Sequence, residues 1–152
     1  MAGEGAATVL VAQPDPDARE LLARVAEGAG HRAVRLDAAT PPEVVDAAVH
    51  ELALVVVVDT QSTSLDDVAA ITDAFTTRGY PAAVVALVDG PATEDRAIAA
   101  GAHQALCRPF HQRDLVRVLD AILHPERVPP AAEAKAEADA PRVLPVGEGH
   151  TF

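Results

Sequence analysis

The chain has 152 residues, of which 49% are hydrophobic and only 3% aromatic, and its formal net charge is −11. A domain of this length can bury a substantial core, which here must be built from Val, Leu, Ile and Ala. Nucleic-acid binding depends on Lys and Arg side chains that neutralise phosphates. Because the chain is acidic and has no basic cluster, we do not expect a nucleic-acid partner.

The sequence carries no pattern typical of secretion or membrane insertion. Residues 1–12 lack a positive segment and a long apolar core, and no apolar run approaches the ~20 residues of a membrane span. Cys107 is the single cysteine, which excludes an intramolecular disulfide and a cysteine-based zinc site. We therefore expect a soluble cytoplasmic protein without membrane association.

The first predicted strand and helix follow directly after the amino terminus. Thr8–Ala12 is a short apolar run. Asp15 followed by Pro16 is typical of a helix N-cap and first helical position, and Gly28 and Gly30 close the helix. The pattern predicts a strand and then a helix that buries its leucine and valine side chains.

The same alternation continues through the middle of the chain. Ala33–Leu36 is a weaker strand candidate, and Thr40 with Glu43 predicts a capping box for a helix that ends near Glu51. Ala53–Val58 is apolar throughout and stops at Asp59. A strand of this kind is expected to be buried on both faces.

Two further strands and three further helices complete the pattern. Ser64 is expected to cap a helix that ends at Gly79. The remaining predicted segments are strand Pro81–Leu87, helix Thr93–Ala100, strand Gln104–Cys107 and a last helix whose apolar stripe is Leu115, Val118, Leu119 and Ile122.

Five strands alternating with five helices predict an α/β fold, a doubly wound five-strand parallel sheet of flavodoxin-like type. Working sites in such sheets lie at the carboxyl ends of the strands, near the point where strand order reverses. Asp59 follows one of these ends and is the first candidate for a functional residue.

Composition divides the chain into two parts. Residues 1–124 hold all the predicted elements, whereas residues 125–152 are rich in Ala, Pro and Glu and have no apolar period. We expect a domain over 1–124 and a flexible tail over 125–152. Within that tail, Val143–Val146 is a candidate docking motif, although a solvated segment explains it as well.

Histidine residues give no indication of a metal centre. His103, His111 and His124 are scattered, without the i, i+4 spacing of a helical metal site, and are expected at the surface. His31 is expected in a turn between a helix and a strand. No Gly-x-Ser-x-Gly, Gly-x-Gly-x-x-Gly or Walker A motif is present, so no metal site, hydrolase or nucleotide-binding enzyme is predicted.

Several segments in order resemble the receiver domains of two-component response regulators. The segment Val9–Leu22 resembles the family's first strand and helix, and Asp59–Asp67 resembles the family's segment around the phosphorylated aspartate. Three later segments resemble later landmarks of the family: Pro81–Leu87, Ala100–Ala102 and Arg108–Phe110. The resemblance covers about residues 7–124. It implies a receiver-like fold, with a cis peptide bond before Pro109.

The departures from the family are concentrated at its reaction centre. Two acidic residues that help to hold magnesium are replaced by Gln13 and Pro14, and the Ser or Thr that binds the phosphoryl group is replaced by Ala86. The lysine is replaced by Arg108. The aromatic switch residue is replaced by Ala105, which leaves Asp59 as the unchanged member of the set.

These departures predict weak or absent magnesium binding, because an amide and a proline cannot supply the missing carboxylates. Asp59 then has two interpretations: the resemblance makes it the phosphoacceptor position, whereas its chemistry also suits a structural ion pair with Arg108. We expect a non-enzymatic module whose phosphorylation site is degenerate, meaning that most residues of its reaction centre are lost.

Three functions remain open at this point. The first is a stand-alone receiver-like signalling module of two-component or phosphorelay type, which acts by protein–protein interaction through about Thr93–Leu123. Its partner would be a histidine kinase, a downstream regulator or a second copy in a homodimer. The second is a working single-domain response regulator phosphorylated on Asp59. The third is a sensor of a small anionic ligand anchored by Arg108 and Gln13.

Overall fold

A computed structural model describes residues 7–38 and 40–124. The elements alternate along the chain as five strands and five helices. Their bounds are β1 Thr8–Ala12, α1 Pro16–Gly28, β2 Arg32–Leu36, α2 Pro41–Glu51, β3 Val55–Asp59, α3 Leu65–Arg78, β4 Ala83–Val88, α4 Pro91–Ala99, β5 Gln104–Cys107 and α5 Gln112–Leu123.

All five strands pair in parallel, in the spatial order β2-β1-β3-β4-β5. The prediction of a doubly wound five-strand parallel sheet is therefore confirmed. The direction of winding reverses between β1 and β3, where Ala12 pairs with Val58. Because a crevice opens beyond the carboxyl ends of such strands, Gln13 and Asp59 lie at its floor.

Both faces of the sheet are covered by apolar side chains. On one face, Leu10, Val56 and Val84 pack with Ile71 and Phe75 of α3 and with side chains of α2 and α4. On the other face, strand valines pack with Leu22, Leu115 and Leu119 of α1 and α5. Removal of this apolar surface from water is what drives a chain almost without aromatic residues to fold.

Two predicted helix caps are present. Asp15 accepts a hydrogen bond from the backbone N–H of Ala18 at 3.2 Å, and Ser64 accepts one from Asp67 at 3.1 Å. The predicted capping box at Thr40 is wrong, because its hydroxyl instead donates to the Glu43 carboxylate at 2.6 Å and does not cap the helix.

Strand and helix boundaries differ from the predictions by up to two residues. β3 runs from Val55 to Asp59, so that the aspartate is its last residue. β4 begins at Ala83, and α4 begins at Pro91, two residues before the predicted start at Thr93. The proline explains the earlier start, since its fixed φ suits the first helical turn.

The histidine predicted in the turn after α1 makes contacts with the carboxyl end of the last helix. His31 lies in the predicted turn but is buried, and its ring stacks on that of His124 with centroids 5.8 Å apart. His31 Nε2 is also 3.8 Å from a carboxylate oxygen of Asp120. The turn after α1 is therefore packed against the end of α5.

The predicted tail over residues 125–152, with the Val143–Val146 motif, lies outside the described residues, and that prediction stays open. Within the described part of the chain, no helix is long and apolar enough to cross a membrane. The predicted cis peptide bond between Arg108 and Pro109 is present.

Candidate functional site

The carboxyl end of β3 turns sharply and leaves the Asp59 side chain in the crevice. The carbonyl of Asp59 accepts hydrogen bonds from the N–H groups of Ser62 and Thr63 at 2.9 and 2.8 Å. Thr60 is fixed to β4 by its N–H and hydroxyl, which both donate to the carbonyl of Leu87. The aspartate is only 7% exposed, so its carboxylate needs partners from the protein.

Four donors surround that carboxylate. Oδ1 accepts from Arg108 Nη2 and from the Gln61 N–H, both at 2.9 Å. Oδ2 accepts from Gln13 Nε2 at 2.9 Å and from Arg108 Nη1 at 3.3 Å. The two guanidinium bonds form the bidentate pair that arginine geometry favours. The sequence-based alternative of an ion pair between Asp59 and Arg108 is therefore what the structure contains.

The buried side chain of Gln13 connects the end of β3 to the loop after β1. It is 3% exposed, and while its amide nitrogen donates to Asp59, its Oε1 accepts from the Asp15 N–H at 3.1 Å. Its backbone carbonyl accepts from Arg19 Nη1 at 2.8 Å. Both ends of the amide are thus used, which fixes its orientation against Asp59.

Arg108 binds a second carboxylate. Its Nε donates to Asp89 Oδ1 at 3.0 Å, and Asp89 also lies 3.3 Å from Gln61 Nε2. Partial burial alone lowers the pKa of Arg108. The hydrogen bonds and charges of Asp59, and then Asp89, outweigh burial and raise that pKa above its usual value. The guanidinium stays charged and bridges two strand ends.

The other predicted positions contribute no polar side chain. Pro14 is exposed at the start of the loop after β1. Ala86 is buried in β4, and it pairs in register with Ala105 of β5. Both pack in the same apolar layer, so neither offers a hydroxyl or an aromatic ring.

A cavity of about 500 Å³ opens above this network. Its walls come from the loops that follow β1, β3 and β5. The lining residues are Gln13, Asp15, Ala18, Asp59, Gln61, Ser62 and Arg108.

Comparison with known proteins gives structural relatives alone: no family model and no curated protein matches the chain. It is similar to chemotaxis protein CheY4 of Vibrio cholerae (20% identity, TM-score 0.64) and to a response regulator of Thermotoga maritima (19%, 0.65). The alignments cover 77% and 78% of this chain and 98% of each relative. The chain has the receiver-domain fold.

A third similar structure is the receiver domain of a Pseudomonas aeruginosa sensor histidine kinase, crystallised with a magnesium ion in its active-site cleft. Its identity to this chain is 20%, its TM-score is 0.64, and the alignment covers 78% of this chain and 98% of that domain. At these identities the similarity establishes the receiver fold and leaves function to the site.

Within this receiver fold, the structure brings together Gln13, Asp59 and Arg108, as predicted. Sequence reasoning missed Asp89 and the backbone N–H of Gln61. Asp89 directly follows β4, and it therefore lies at the same edge of the sheet as Asp59, the last residue of β3. That position is a signal that could have identified it.

Proposed function

We propose that the chain is a receiver-like signalling module of two-component or phosphorelay type, with a degenerate phosphorylation site. It acts by protein–protein interaction and is not an enzyme. The proposal keeps the cytoplasmic location expected from the sequence. Its support is the receiver fold together with the chemistry of the Asp59 carboxylate.

One observation carries the proposal: both Asp59 oxygens are engaged by the protein itself. A carboxylate that is to attack a phosphoryl group needs a free oxygen and positive charge around the transferred oxygens. Here Arg108 and Gln13 take Oδ2, while Arg108 and the Gln61 N–H take Oδ1. An attacking oxygen would first have to break these bonds.

The side chains near Asp59 also do not suit magnesium as ligands, because magnesium prefers several oxygen ligands in octahedral geometry. Gln13 directs its amide nitrogen at Asp59, and Pro14 has no side-chain donor. Within residues 7–38 and 40–124, no group of three His, Cys, Asp or Glu side chains is arranged to hold a metal ion. We propose that magnesium binding is weak or absent.

The interaction surface proposed from the sequence is about Thr93–Leu123, which includes most of α4, β5 and α5. Ile98 on α4 is an exposed large apolar side chain in this range, 45% accessible. A histidine kinase, a downstream regulator or a second copy of the chain would contact this surface. Because the net charge of the chain is −11, we do not propose a nucleic-acid partner.

The test is backbone amide NMR of the full chain, titrated with magnesium and then with beryllium fluoride as a phosphoryl mimic. We expect a well-dispersed spectrum that neither addition changes near Asp59, Ala86 or Arg108. Shifts centred on these residues and spreading into α4 would overturn the degenerate site. They would instead support a working response regulator phosphorylated on Asp59.

That alternative rests on the cation already beside Asp59, because the Arg108 guanidinium could bind phosphoryl oxygens bidentately. The sensor alternative rests on the cavity lined by Gln13 and Arg108. An anion there would compete with Asp59 and Asp89 for the guanidinium, which makes this alternative weaker. Thermal melts with small dicarboxylates and phosphate test it, since a bound ligand raises the melting temperature.

The interaction surface is tested by Ile98→Asp with Leu21→Asp as its matched control. Leu21 lies on α1, outside the proposed surface, and is 53% exposed. We expect only Ile98→Asp to weaken self-association in sedimentation velocity or binding to a purified histidine kinase. Equal effects of the two variants would contradict this surface.

A further inference from the structure

A second and larger cavity lies at the opposite edge of the sheet from Asp59. Its volume is about 690 Å³, and it opens where β4 and β5 begin, between the last two turns of α3 and the end of α4. We call it the amino-edge cavity; its lining includes Thr72, Asp73, Phe75, Tyr80, Gly101 and His103. Sites for small organic molecules typically measure ~300–1,000 Å³, so the size of this cavity suits such a ligand.

One wall of the amino-edge cavity is aromatic. Phe75 and Tyr80 contact each other there, with ring centroids 5.7 Å apart and an angle of 38° between the ring planes. The Tyr80 hydroxyl donates to the carbonyl of Ala53 at 2.8 Å, so its polar end is used within the protein. The rings therefore offer the cavity an apolar surface whose π-electrons attract cations.

The charge at the amino-edge cavity is negative. Asp73 is the one Asp, Glu, Lys or Arg among the described residues that line it, and no hydrogen bond or ion pair within the described part of the chain engages its carboxylate. Helices α3 and α4 also end here, and the carboxyl end of a helix carries partial negative charge. Arg78 in the last turn of α3 pairs with Asp46 of α2. The cavity therefore favours a cation over an anion.

His103 gives the cavity a neutral hydrogen-bond donor. Its Nδ1 accepts from the Val84 N–H at 3.1 Å, and its own backbone N–H donates to the Val84 carbonyl at 2.8 Å. An imidazole that accepts at Nδ1 carries its proton on Nε2, so the ring is uncharged and Nε2 is a donor. His103 therefore adds no positive charge that would offset Asp73.

We propose that the amino-edge cavity binds a small organic amine, that is, a primary ammonium group on an apolar body. The ammonium group pairs with Asp73, while the apolar body packs on the rings of Phe75 and Tyr80. This site is independent of the proposed function. It also differs from the sensor alternative at Arg108, both in its position on the sheet and in the sign of the ligand's charge.

Backbone amide NMR of the full chain tests the site with three probes of similar shape: benzylamine, benzyl alcohol and benzoate, at one pH and one ionic strength. We expect benzylamine, in its ammonium form, to shift the amides of Ala99, Gly101 and His103. Its Kd should be about tenfold lower than that of benzyl alcohol, as expected for a hydrogen bond to a charged group. Benzoate should leave these amides unchanged.

Asp73→Asn removes the charge, and Asp66→Asn is its matched control. Both aspartates are exposed and lie on α3, but Asp66 is in the first turn of the helix and does not line the cavity. We expect Asp73→Asn to raise the Kd of benzylamine about tenfold, to the level of benzyl alcohol. The Kd measured for Asp66→Asn should match that of the native chain.

Three results contradict the proposal: benzylamine shifts none of the three amides, benzoate shifts them as strongly as benzylamine, or Asp73→Asn leaves the Kd of benzylamine unchanged. The titrations use no magnesium and no phosphoryl mimic. Their failure therefore leaves the degenerate-site proposal at Asp59 standing. A positive beryllium fluoride titration would end that proposal without changing the result for benzylamine.

Discussion

At the scale of single residues, the pair of Asp59 and Arg108 makes a sharp prediction for stability. Asp59→Ala leaves a partly buried guanidinium without its main partner, and Gln13 loses the acceptor for its amide. Breaking a buried pair costs roughly 3–5 kcal/mol. Because Arg108 keeps Asp89 and is 26% exposed, we expect a loss of about 2–3 kcal/mol in the free energy of unfolding.

Urea denaturation measures this loss, and Asp46→Ala is the matched control. Asp46 pairs with Arg78 at 3.3 Å, but its side chain is 73% exposed. Exposed pairs contribute about 0–1 kcal/mol. Similar losses in the free energy of unfolding for the two variants would contradict a stabilising role for the buried ion pair between Asp59 and Arg108.

Gly101 is a second position where a single side chain decides stability. Its φ is +114°, and an added Cβ would collide with the Thr72 hydroxyl, whose oxygen lies 3.0 Å from the carbonyl oxygens of both Ala69 and Ala100. We expect Gly101→Ala to lower the free energy of unfolding by roughly 2 kcal/mol, from strain and collision together.

Thermal or urea unfolding of Gly101→Ala is compared with that of Gly28→Ala. Gly28 lies in the last turn of α1, where an added Cβ meets nothing within 4 Å. That control should be neutral or slightly stabilising. If Thr72→Ala rescues part of the loss in Gly101→Ala, the collision is confirmed as one of its causes.

At the scale of elements, Arg35 ties the edge strand β2 to α1. Its guanidinium binds Glu20 at 2.8 Å and Glu27 at 3.0 Å. The hydrogen bonds from Arg35 and then Arg24 lower the pKa of Glu20 from 4.5 to about 2, and Arg35 also lowers the pKa of Glu27. Because the folded pKa is depressed, this stabilisation is present above about pH 4.5 and is lost as pH falls towards 2.

We therefore expect Arg35→Gln to lower the melting temperature at neutral pH, with a difference from the native chain that shrinks between pH 4.5 and 2. Melts across this range measure the difference. High salt should also reduce it, since exposed charges are screened. A difference that stays constant down to pH 2 would mean that Arg35 acts by packing its aliphatic stem.

Element order was predictable because apolar runs and helix caps act locally. The valine-rich β3 and the cap at Asp15 are specified by neighbouring residues. The Thr40 capping box failed because two polar side chains near each other have more than one way to bond. The burial of His31 was missed since its partner, His124, lies at the far end of the described chain.

At the scale of the whole molecule, parallel topology brings distant residues to one edge, and this made part of the site predictable. Gln13, Asp59 and Arg108 each follow a predicted strand, so their proximity follows from the fold. The sequence could not indicate that Arg108 binds two carboxylates, because the direction of Asp89 depends on the turn before α4. Nor could it indicate that the Gln13 amide nitrogen faces Asp59.

The division of the chain at residue 124 leads to the last prediction. Both apolar layers and all ten elements lie within the described residues. The described residue nearest the carboxyl end is His124, whose ring stacks on that of His31. A chain that ends at His124 should therefore unfold in one cooperative transition. We expect a melting temperature within about 3 °C of the full chain, equivalent to a change of roughly 1 kcal/mol or less.

Calorimetry of the two chains makes the comparison. A chain that ends at Leu123 is the informative companion, because it removes the His124 ring that stacks on His31. We expect that companion to melt lower than the chain that ends at His124. If ending at His124 already lowers the melting temperature by much more than 3 °C, residues 125–152 contribute to the stability of the fold, and the domain boundary proposed from composition is wrong.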